Sequence, residues 1–312
     1  MDPFTSDSAG GPSPWTTSDL DQPGDRFSFV IVSDRTGGAQ PGFFQRGLAI
    51  TDLLAPSFAV QIGDLIEGYV TDPEALDIQW QEIDQMLAEL RTPLFFVPGN
   101  HDVSNVLQKE RWLQRYGRLH NHFRYGDCLF LVVDTQDPPE IVLEGAEGRL
   151  DAINYLLRLD PAGIRPRLAQ ALDWEGTQIA QVSDEQLAYH EQVLAEDADV
   201  RWTFVFMHMP LWQGDHPAWS RLRAALGTRP YSAFAGHVHN YKASADGQNQ
   251  HVRLGPTGGL WVLEGPQGNF HHVTQVTMTR SGPVVANVTL DGVRGFDGKP
   301  VRSVALADTG VM

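Results

Sequence analysis

Cysteine is nearly absent. The one thiol, Cys128, has no partner for an intramolecular disulfide, and no cysteine-rich zinc module can be built around it. It sits in Asp127-Cys128-Leu129-Phe130, where a buried, inert thiol fits the apolar surroundings better than a nucleophile. Long apolar runs are missing too: none approaches the ~20 residues that a membrane-spanning helix requires. Basic residues are scarce, 23 Lys and Arg against 39 Asp and Glu, for a formal charge of −16. Extended nucleic acid and anionic membrane surfaces both select a net positive face, so neither is expected as the main partner. Small anionic substrates held by local cations or metals are still open. The chain lacks the basic stretch followed by an apolar one that opens a secretory leader. Met1–Thr5 reads as an added start, so the expectation is a soluble protein, cytoplasmic as it stands and exported if a leader has been removed.

What is present is ordinary globular material. With 42% hydrophobic and 20% charged residues, 312 residues can bury a sizeable core, as one large α/β domain or two small ones. Residues 1–26 are rich in Pro, Gly, Ser, Thr and Asp, with Trp15 and Leu20 as exceptions, and read as a disordered or loosely docked tail. From Phe27 onward, short β-rich apolar runs alternate with helical patterns, as βαβ units do. Residues 74–90 are the clearest helix, with Leu76, Trp80, Ile83, Leu87 and Leu90 on one face. A second opens at Ser183-Asp184-Glu185-Gln186, a capping-box pattern. The stretch 137–180 is long for a connection and lacks a strand-like run. Leu150, Ile153, Leu156 and Leu157 suggest a short helix of its own, and a lid or insertion is expected there. After Asn240 the pattern changes to strands without helices, at Leu260–Leu263, His272–Met278 and Val284–Leu290.

The residues that follow the apolar runs carry the chemical information. Phe27–Val32 ends in Ser33-Asp34, and Phe58–Ile62 in Gly63-Asp64. Leu94–Val97 ends in Pro98-Gly99-Asn100-His101-Asp102. Trp202–Met207 ends in His208, and Tyr231–Ala235 in Gly236-His237-Val238-His239. In an open α/β sheet, ligands bind outside the carboxyl ends of the strands, so these residues are delivered toward one sheet edge. Polar residues also follow strands simply because turns need them, and Asp134 after Leu129–Val133 is read that way. The other five ends repeat a hard-oxygen and imidazole set, with glycine just before three of them, which points to a metal site. Oxygen and imidazole donors without thiolates suit Mn, Fe or Zn. A carboxylate can bridge two cations, and a cation pair is the clamp used for in-line displacement at phosphorus.

Gly63-Asp64, Gly99-Asn100-His101-Asp102, the lone His208 and Gly236-His237-Val238-His239 resemble, in order and spacing, the motif blocks of the calcineurin-like metallophosphoesterase superfamily. The resemblance spans about Phe27 to Asn240. It implies a four-layer α/β/β/α sandwich of two mixed sheets flanked by helices, with the strands after Asn240 in the second sheet and residues 27–312 as one domain. It further implies two metal ions, divalent or trivalent, drawn from Mn, Fe or Zn. Asp64 would bridge them; Asn100, His208 and His237 would complete one site; Asp34 and His239 would hold the other. His101 would stand near the leaving-group oxygen as general acid or phosphoryl donor. Glu67 lies where phosphoprotein phosphatases of the family carry an acid that orients this histidine, and a solvated loop acid is the competing reading.

The first block departs from the family's usual Asp-x-His: here it is Asp34-Arg35-Thr36. Purple acid phosphatases lack that histidine as well, but carry a tyrosine ligand where this chain has Glu67, with Tyr69 two residues further on. The first metal is therefore expected to be weaker, more hydrated, or partly held by Thr36. Arg35, beside Gly37 and Gly38, is a candidate to grip the phosphoryl group, with a plain turn as the alternative for the glycines. His190 and His251 read as surface or packing residues. His120 and His122 have the spacing of a metal pair without its context. His216, Trp212 and Trp219 are candidates to wall the pocket.

The expected activity is hydrolysis of phosphomonoesters or phosphodiesters by a hydroxide held on the metals, with a small phosphate ester or phosphoprotein as substrate. The alternatives are a catalytically degenerate binding scaffold, and a nuclease or nucleotide phosphodiesterase. The natural substrate, the metals and the oligomeric state do not follow from the sequence.

Overall fold

The computed structural model describes residues 4–6, 11–137, 180–214, 216–260 and 268–290, and the backbone of 292–294. From Phe27 the chain runs β2 (Phe27–Val32), α1 (Phe43–Leu54), β3 (Phe58–Ile62), α2 (Pro73–Leu87) and β4 (Leu94–Val97). These three strands are parallel neighbours, and parallel strands cannot be joined by a tight turn, so helices make the crossovers. After α3 (Val106–Tyr116), β5 (Asn121–Tyr125) turns back antiparallel onto β6 (Cys128–Val133). Then come α4 (Asp184–Glu196), β7 (Trp202–Met207), α5 (Pro217–Leu226) and β8 (Tyr231–Ala235), with β6, β7 and β8 parallel. β9 (Lys242–Asp246), β10 (Asn249–Arg253), β11 (His272–Thr279), β12 (Gly282–Thr289) and β13 (Gly292–Arg294) follow, and a short β1 (Phe4–Ser6) precedes all of these.

The strands form two sheets, ordered β1-β5-β6-β7-β8-β10-β9 and β13-β12-β11-β2-β3-β4. Alternate side chains of a strand point to opposite faces, and here both faces are covered. Phe29, Phe58, Phe130, Phe204 and Phe206 fill the space between the sheets, with Phe29 stacked on Phe58 at 5.4 Å between ring centroids. Val30, Val32 and Ala59 pack outward on Phe44 of α1, Trp80 and Ile83 of α2 and Trp112 of α3. Leu129, Leu131 and Val205 pack outward on Leu187 and Leu194 of α4 and Leu222 of α5. The result is the expected α/β/β/α order of layers.

Local signals explain the helices. Asp72 accepts the N–H of Glu74 at 3.0 Å and Pro73 opens α2, which ends three residues short of the expected Leu90. Ser183 accepts the N–H of Gln186 at 3.2 Å, the hydroxyl half of a capping box. The Gln186 amide does not return to the cap. It brackets Asp134 instead, accepting its N–H at 2.9 Å and donating to its carbonyl at 3.0 Å.

Two expectations need correction. First, the described residues of the N-terminal segment are tied down: β1 adds to the edge strand β5, while Phe96 N–H donates to Pro14 O at 2.8 Å and Thr16 N–H to Leu94 O at 2.9 Å. Phe4 and Leu20 are buried and Trp15 packs on Phe4 and Phe95, so a few large apolar residues anchor an otherwise polar segment. Second, the strands after Asn240 divide between the sheets: β9 and β10 extend the first, and β11 to β13 the second. The strand expected at Leu260–Leu263 lies outside the described residues apart from Leu260, which is irregular. The insertion expected at 137–180, with its helix around Leu150–Leu157, lies outside the described residues apart from its ends. Among the described residues no helix is long and apolar enough to cross a membrane.

Candidate metal centre

Five of the strand ends singled out in the sequence meet at one place, but they come from two sheets rather than one edge. β2, β3 and β4 deliver Asp34, Asp64 and Asn100 from one sheet, and β7 and β8 deliver His208, His237 and His239 from the other. Two groups of donor atoms, each within 4.8 Å of one another, result: Asp34, Asp64 and His239, and Asp64, His208 and His237. Asp64 belongs to both. The amide oxygen of Asn100 lies 2.9 Å from Nδ1 of His237, which places it with the second group.

The backbone is bent to achieve this. Of the six non-glycine residues with positive φ among those described, four are Asp34 (φ 31), Asp64 (φ 60), His237 (φ 69) and His239 (φ 55). Such conformations cost about 1–3 kcal/mol each and persist only where the surroundings impose them. The glycines before the ligands allow the close approach. A Cβ on Gly99 would run into the carboxylate and N–H of Asp64. One on Gly236 would lie 2.6 Å from Oγ of Ser33 and closer still to the Asp34 carboxylate.

Hydrogen bonds behind these candidate ligands set which ring nitrogen faces inward. Nδ1 of His208 donates to the Ile62 carbonyl at 2.9 Å, so Nε2 is the nitrogen turned inward, 3.1 Å from Oδ2 of Asp64 and 4.0 Å from Oδ1 of Asp34. Nδ1 of His239 donates to the Leu260 carbonyl, leaving Nε2 3.3 Å from Oδ1 of Asp34. Fixing the tautomer through the outer nitrogen is how proteins hold metal-ligating histidines. Nε2 of His208 is buried and has no hydrogen-bond partner, an atom whose lone pair a cation would satisfy. With oxygen and imidazole donors and no thiolate, the residues present fit Mn, Fe or Zn.

The electrostatics are those of a buried anionic site. Burial works to raise the pKa of Asp64, but His208 and His101 beside it outweigh that and hold its carboxyl well below the usual range. Asp34 is lowered as well, burial being overcome chiefly by His239. In turn, Asp64 and Asp34 overcome the effect of burial on His208 and lift it to about 9. His237, pressed by burial and by His208, falls to about 3.

The remaining candidates are placed as follows. The His101 N–H donates to Oδ1 of Asp64 at 3.0 Å, and Nε2 of its ring lies 3.9 Å from Oδ2. Its Nδ1 donates at 2.6 Å to the main-chain carbonyl of Glu67, not to the carboxylate. That carboxylate accepts the N–H groups of Ala39 at 2.8 Å and Gly38 at 3.4 Å, and so fastens the loop after Asp34. Burial opposes ionisation of Glu67, but His101 and those N–H donors lower its pKa. The Thr36 hydroxyl lies beside Glu67 without hydrogen-bond geometry, and its N–H donates to Asp64 O at 3.2 Å. Arg35 is engaged within the protein: its guanidinium donates to Leu65 O at 3.0 Å and to Glu82 of α2 at 2.5 Å.

Other expected pocket residues belong elsewhere. His216 caps α5 through the N–H of Ala218, and Trp212 and Trp219 pack with His251 on the outer face of the seven-stranded sheet. His120 and His122 lie against α4, where Nδ1 of His122 is 2.7 Å from the Tyr189 hydroxyl. Asp134 accepts the N–H of Gln136 at 2.8 Å, the local turn bond that the sequence suggested.

Sequence reasoning missed two contributors. Asp102 accepts four backbone N–H groups, from Asp64, Leu65, Ile66 and Gly99; an acid closing a glycine-rich turn was the available signal. The segment Thr257-Gly258-Gly259-Leu260 wraps the Asp34 loop: Gly259 N–H donates to Asp34 O at 2.9 Å, and Thr257 N–H to Ser33 O at 2.8 Å. Its glycine pair was the only hint.

The fold and these motifs can be set beside known proteins. Among solved structures, a dimetal phosphatase from Danio rerio aligns over 88% of this chain and 99% of its own, with 15% identity and a TM-score of 0.59. PhoD aligns over 89% of this chain and 73% of its own, at 10% identity and a TM-score of 0.54. GAP50, the anchor in the inner membrane complex of Plasmodium, covers 89% and 90%, at 13% identity and a TM-score of 0.52. At such identities the likeness shows the fold alone. No curated protein sequence matches the chain. The profile of calcineurin-like phosphoesterases, however, matches residues 27–241, from the first core strand to just past the last histidine block. The chain belongs to the calcineurin-like phosphoesterase family.

Proposed function

We infer that this chain is a dinuclear metal-dependent phosphoesterase acting on small phosphate esters. The observation that carries the reading is the position of Asp64 in both donor groups, since a carboxylate is the donor in this set suited to bridging two cations. Asp34, Asp64 and His239 would hold one ion; Asp64, Asn100, His208 and His237 the other. When bound, such a pair supplies Lewis acidity at the phosphoryl oxygens and a water of lowered pKa.

The protein's own part is orientation and proton movement. Glu67 O fixes Nδ1–H of His101, so Nε2 is presented on the side of Asp64. Protonated there, Nε2 can give its proton to the leaving oxygen as the P–O bond breaks and that oxygen takes the electron pair. The net charge of −16 favours a single phosphate ester over a nucleic-acid strand.

A scaffold that has lost turnover is the second reading, favoured by Thr36 standing where the family usually has histidine. The hydrogen bond that holds His101 in one tautomer weighs against it, because a scaffold has no use for a poised acid. Metal-stripped protein resupplied with Mn²⁺, Zn²⁺ or Fe²⁺ should hydrolyse p-nitrophenyl phosphate or its bis-ester. Failure of every metal on both compounds would sink the reading.

A further inference from the structure

A fifth positive-φ residue stands beside the ligands. Tyr69 (φ 54) follows Gly68 (φ 60), and an aromatic residue in left-handed backbone is a genuine outlier. Three buried or half-buried amides impose this turn. Gln79 of α2 accepts the N–H of Gly68 at 2.8 Å, and Asn105 at the start of α3 donates to Val70 O at 3.0 Å. Gln108 of α3 donates to His101 O at 2.6 Å, in the backbone against which Gly68 is pressed too tightly for any Cβ. The outcome of the bend is specific. The Tyr69 hydroxyl accepts from Nδ2 of Asn100 at 2.8 Å, and its ring stands edge-on to His101 with centroids 4.9 Å apart.

We propose that Tyr69 is a positioning residue for both Asn100 and His101. An amide has an oxygen end and a nitrogen end of nearly equal shape, and only the oxygen can ligate a cation. By taking the Nδ2 end, the phenol directs Oδ1 toward His237, where the second ion of the proposed centre would lie. The ring separately walls one side of His101, while Glu67 O fixes its Nδ1. The two tasks belong to different atoms of one side chain, so substitution can separate them. This inference rests on the dinuclear reading above.

The test is calorimetric Mn²⁺ titration together with steady-state hydrolysis of p-nitrophenyl phosphate, for wild type, Tyr69→Phe, Tyr69→Leu, Asn100→Ala and the double variant Tyr69→Phe/Asn100→Ala. Tyr69→Phe keeps the ring and should weaken the second Mn²⁺ by ~10–100-fold, the range for partners that orient a ligand. The first ion should be unchanged. In the Asn100→Ala background the same substitution should change nothing further, which a general loss of packing could not mimic. Tyr69→Leu should in addition lower kcat at saturating metal. Wild type that takes up fewer than two ions would overturn the centre, and the role of Tyr69 with it. Two ions in wild type with an unchanged second affinity in Tyr69→Phe, or additive losses in the double variant, would overturn the Tyr69 assignment alone. Equal kcat for the Phe and Leu variants would remove the ring's share.

Discussion

Asp102 accepts the backbone N–H of Asp64 at 2.8 Å, and through that bond the loop after β4 holds the loop after β3 in its left-handed bend. The same carboxylate takes Leu65 and Gly99 N–H at 2.9 Å each, so one buried acid gathers the donors that two glycine-rich turns leave over. Burial, followed by the charge of Asp64, raises its pKa to about 6.

Replacing Asp102 by Ala should therefore destabilise the fold by at least about 1–3 kcal/mol, the cost of leaving even one buried N–H donor unmatched. Asp102→Asn should destabilise less, because its amide oxygen still accepts two of the four N–H groups while its NH₂ faces the other two. Urea denaturation measures the loss, and wild-type midpoints for both variants would contradict the assignment.

Gly236→Ala tests the close approach of strand ends without a backbone penalty, since only its Cβ is new. That methyl would press on the Asp34 carboxylate and on Oγ of Ser33. The expected result is a folded protein, by circular dichroism, whose affinity for its first Mn²⁺ falls at least tenfold. Unchanged binding would show that Asp34 can retreat freely.

His101→Ala should lower kcat by ~10²–10⁴, the usual contribution of a positioned acid or base, while Mn²⁺ stoichiometry stays that of wild type. Loss of metal instead of turnover would make His101 a structural support of Asp64.

Two buried groups outside the candidate ligand set give opposite pH slopes. Burial, then His120, His122 and Arg118, lower His190 from 6.5 to about 3. Between those values the unfolded chain binds a proton that the native chain refuses, so stability rises with pH by up to ~1.4 kcal/mol per unit. Burial raises Asp134 from 3.8 to about 7, with Asp137 adding to it and the Gln136 N–H and Lys109 opposing. There the native chain keeps a proton that the unfolded chain has released, and stability falls as pH rises. From about pH 4 to 6.5 the two should nearly cancel. His190→Leu should expose the falling slope and Asp134→Asn the rising one in urea melts across that range. Parallel profiles for all three proteins would refute both shifts.

The sequence made the parallel strands and the candidate ligands after them legible for one physical reason. β3 and β7 are buried on both faces, so they read as mostly apolar runs, broken only by Gln61 and Thr203, and an acid or imidazole after such a run is conspicuous. β9 was not legible because Lys242–Asp246 is largely exposed at a sheet edge and its only apolar residues are the small Ala243 and Ala245. The hold on His101 was assigned to the Glu67 carboxylate, whereas its main-chain oxygen does the task, and a carbonyl carries no residue identity to read. The contact of Arg35 with Glu82 was not legible, because it depends on α2 packing beside the loop after β2.

The N-terminal segment has a consequence for the order of assembly. Phe4 pairs with Tyr125 and Trp15 bridges to Phe95, so this segment closes against strands made some hundred residues after it. On a ribosome it must wait, unpaired, until both of its docking strands have emerged. Locking is then a late event, and until it happens β4 and β5 each present an open ladder to any passing strand.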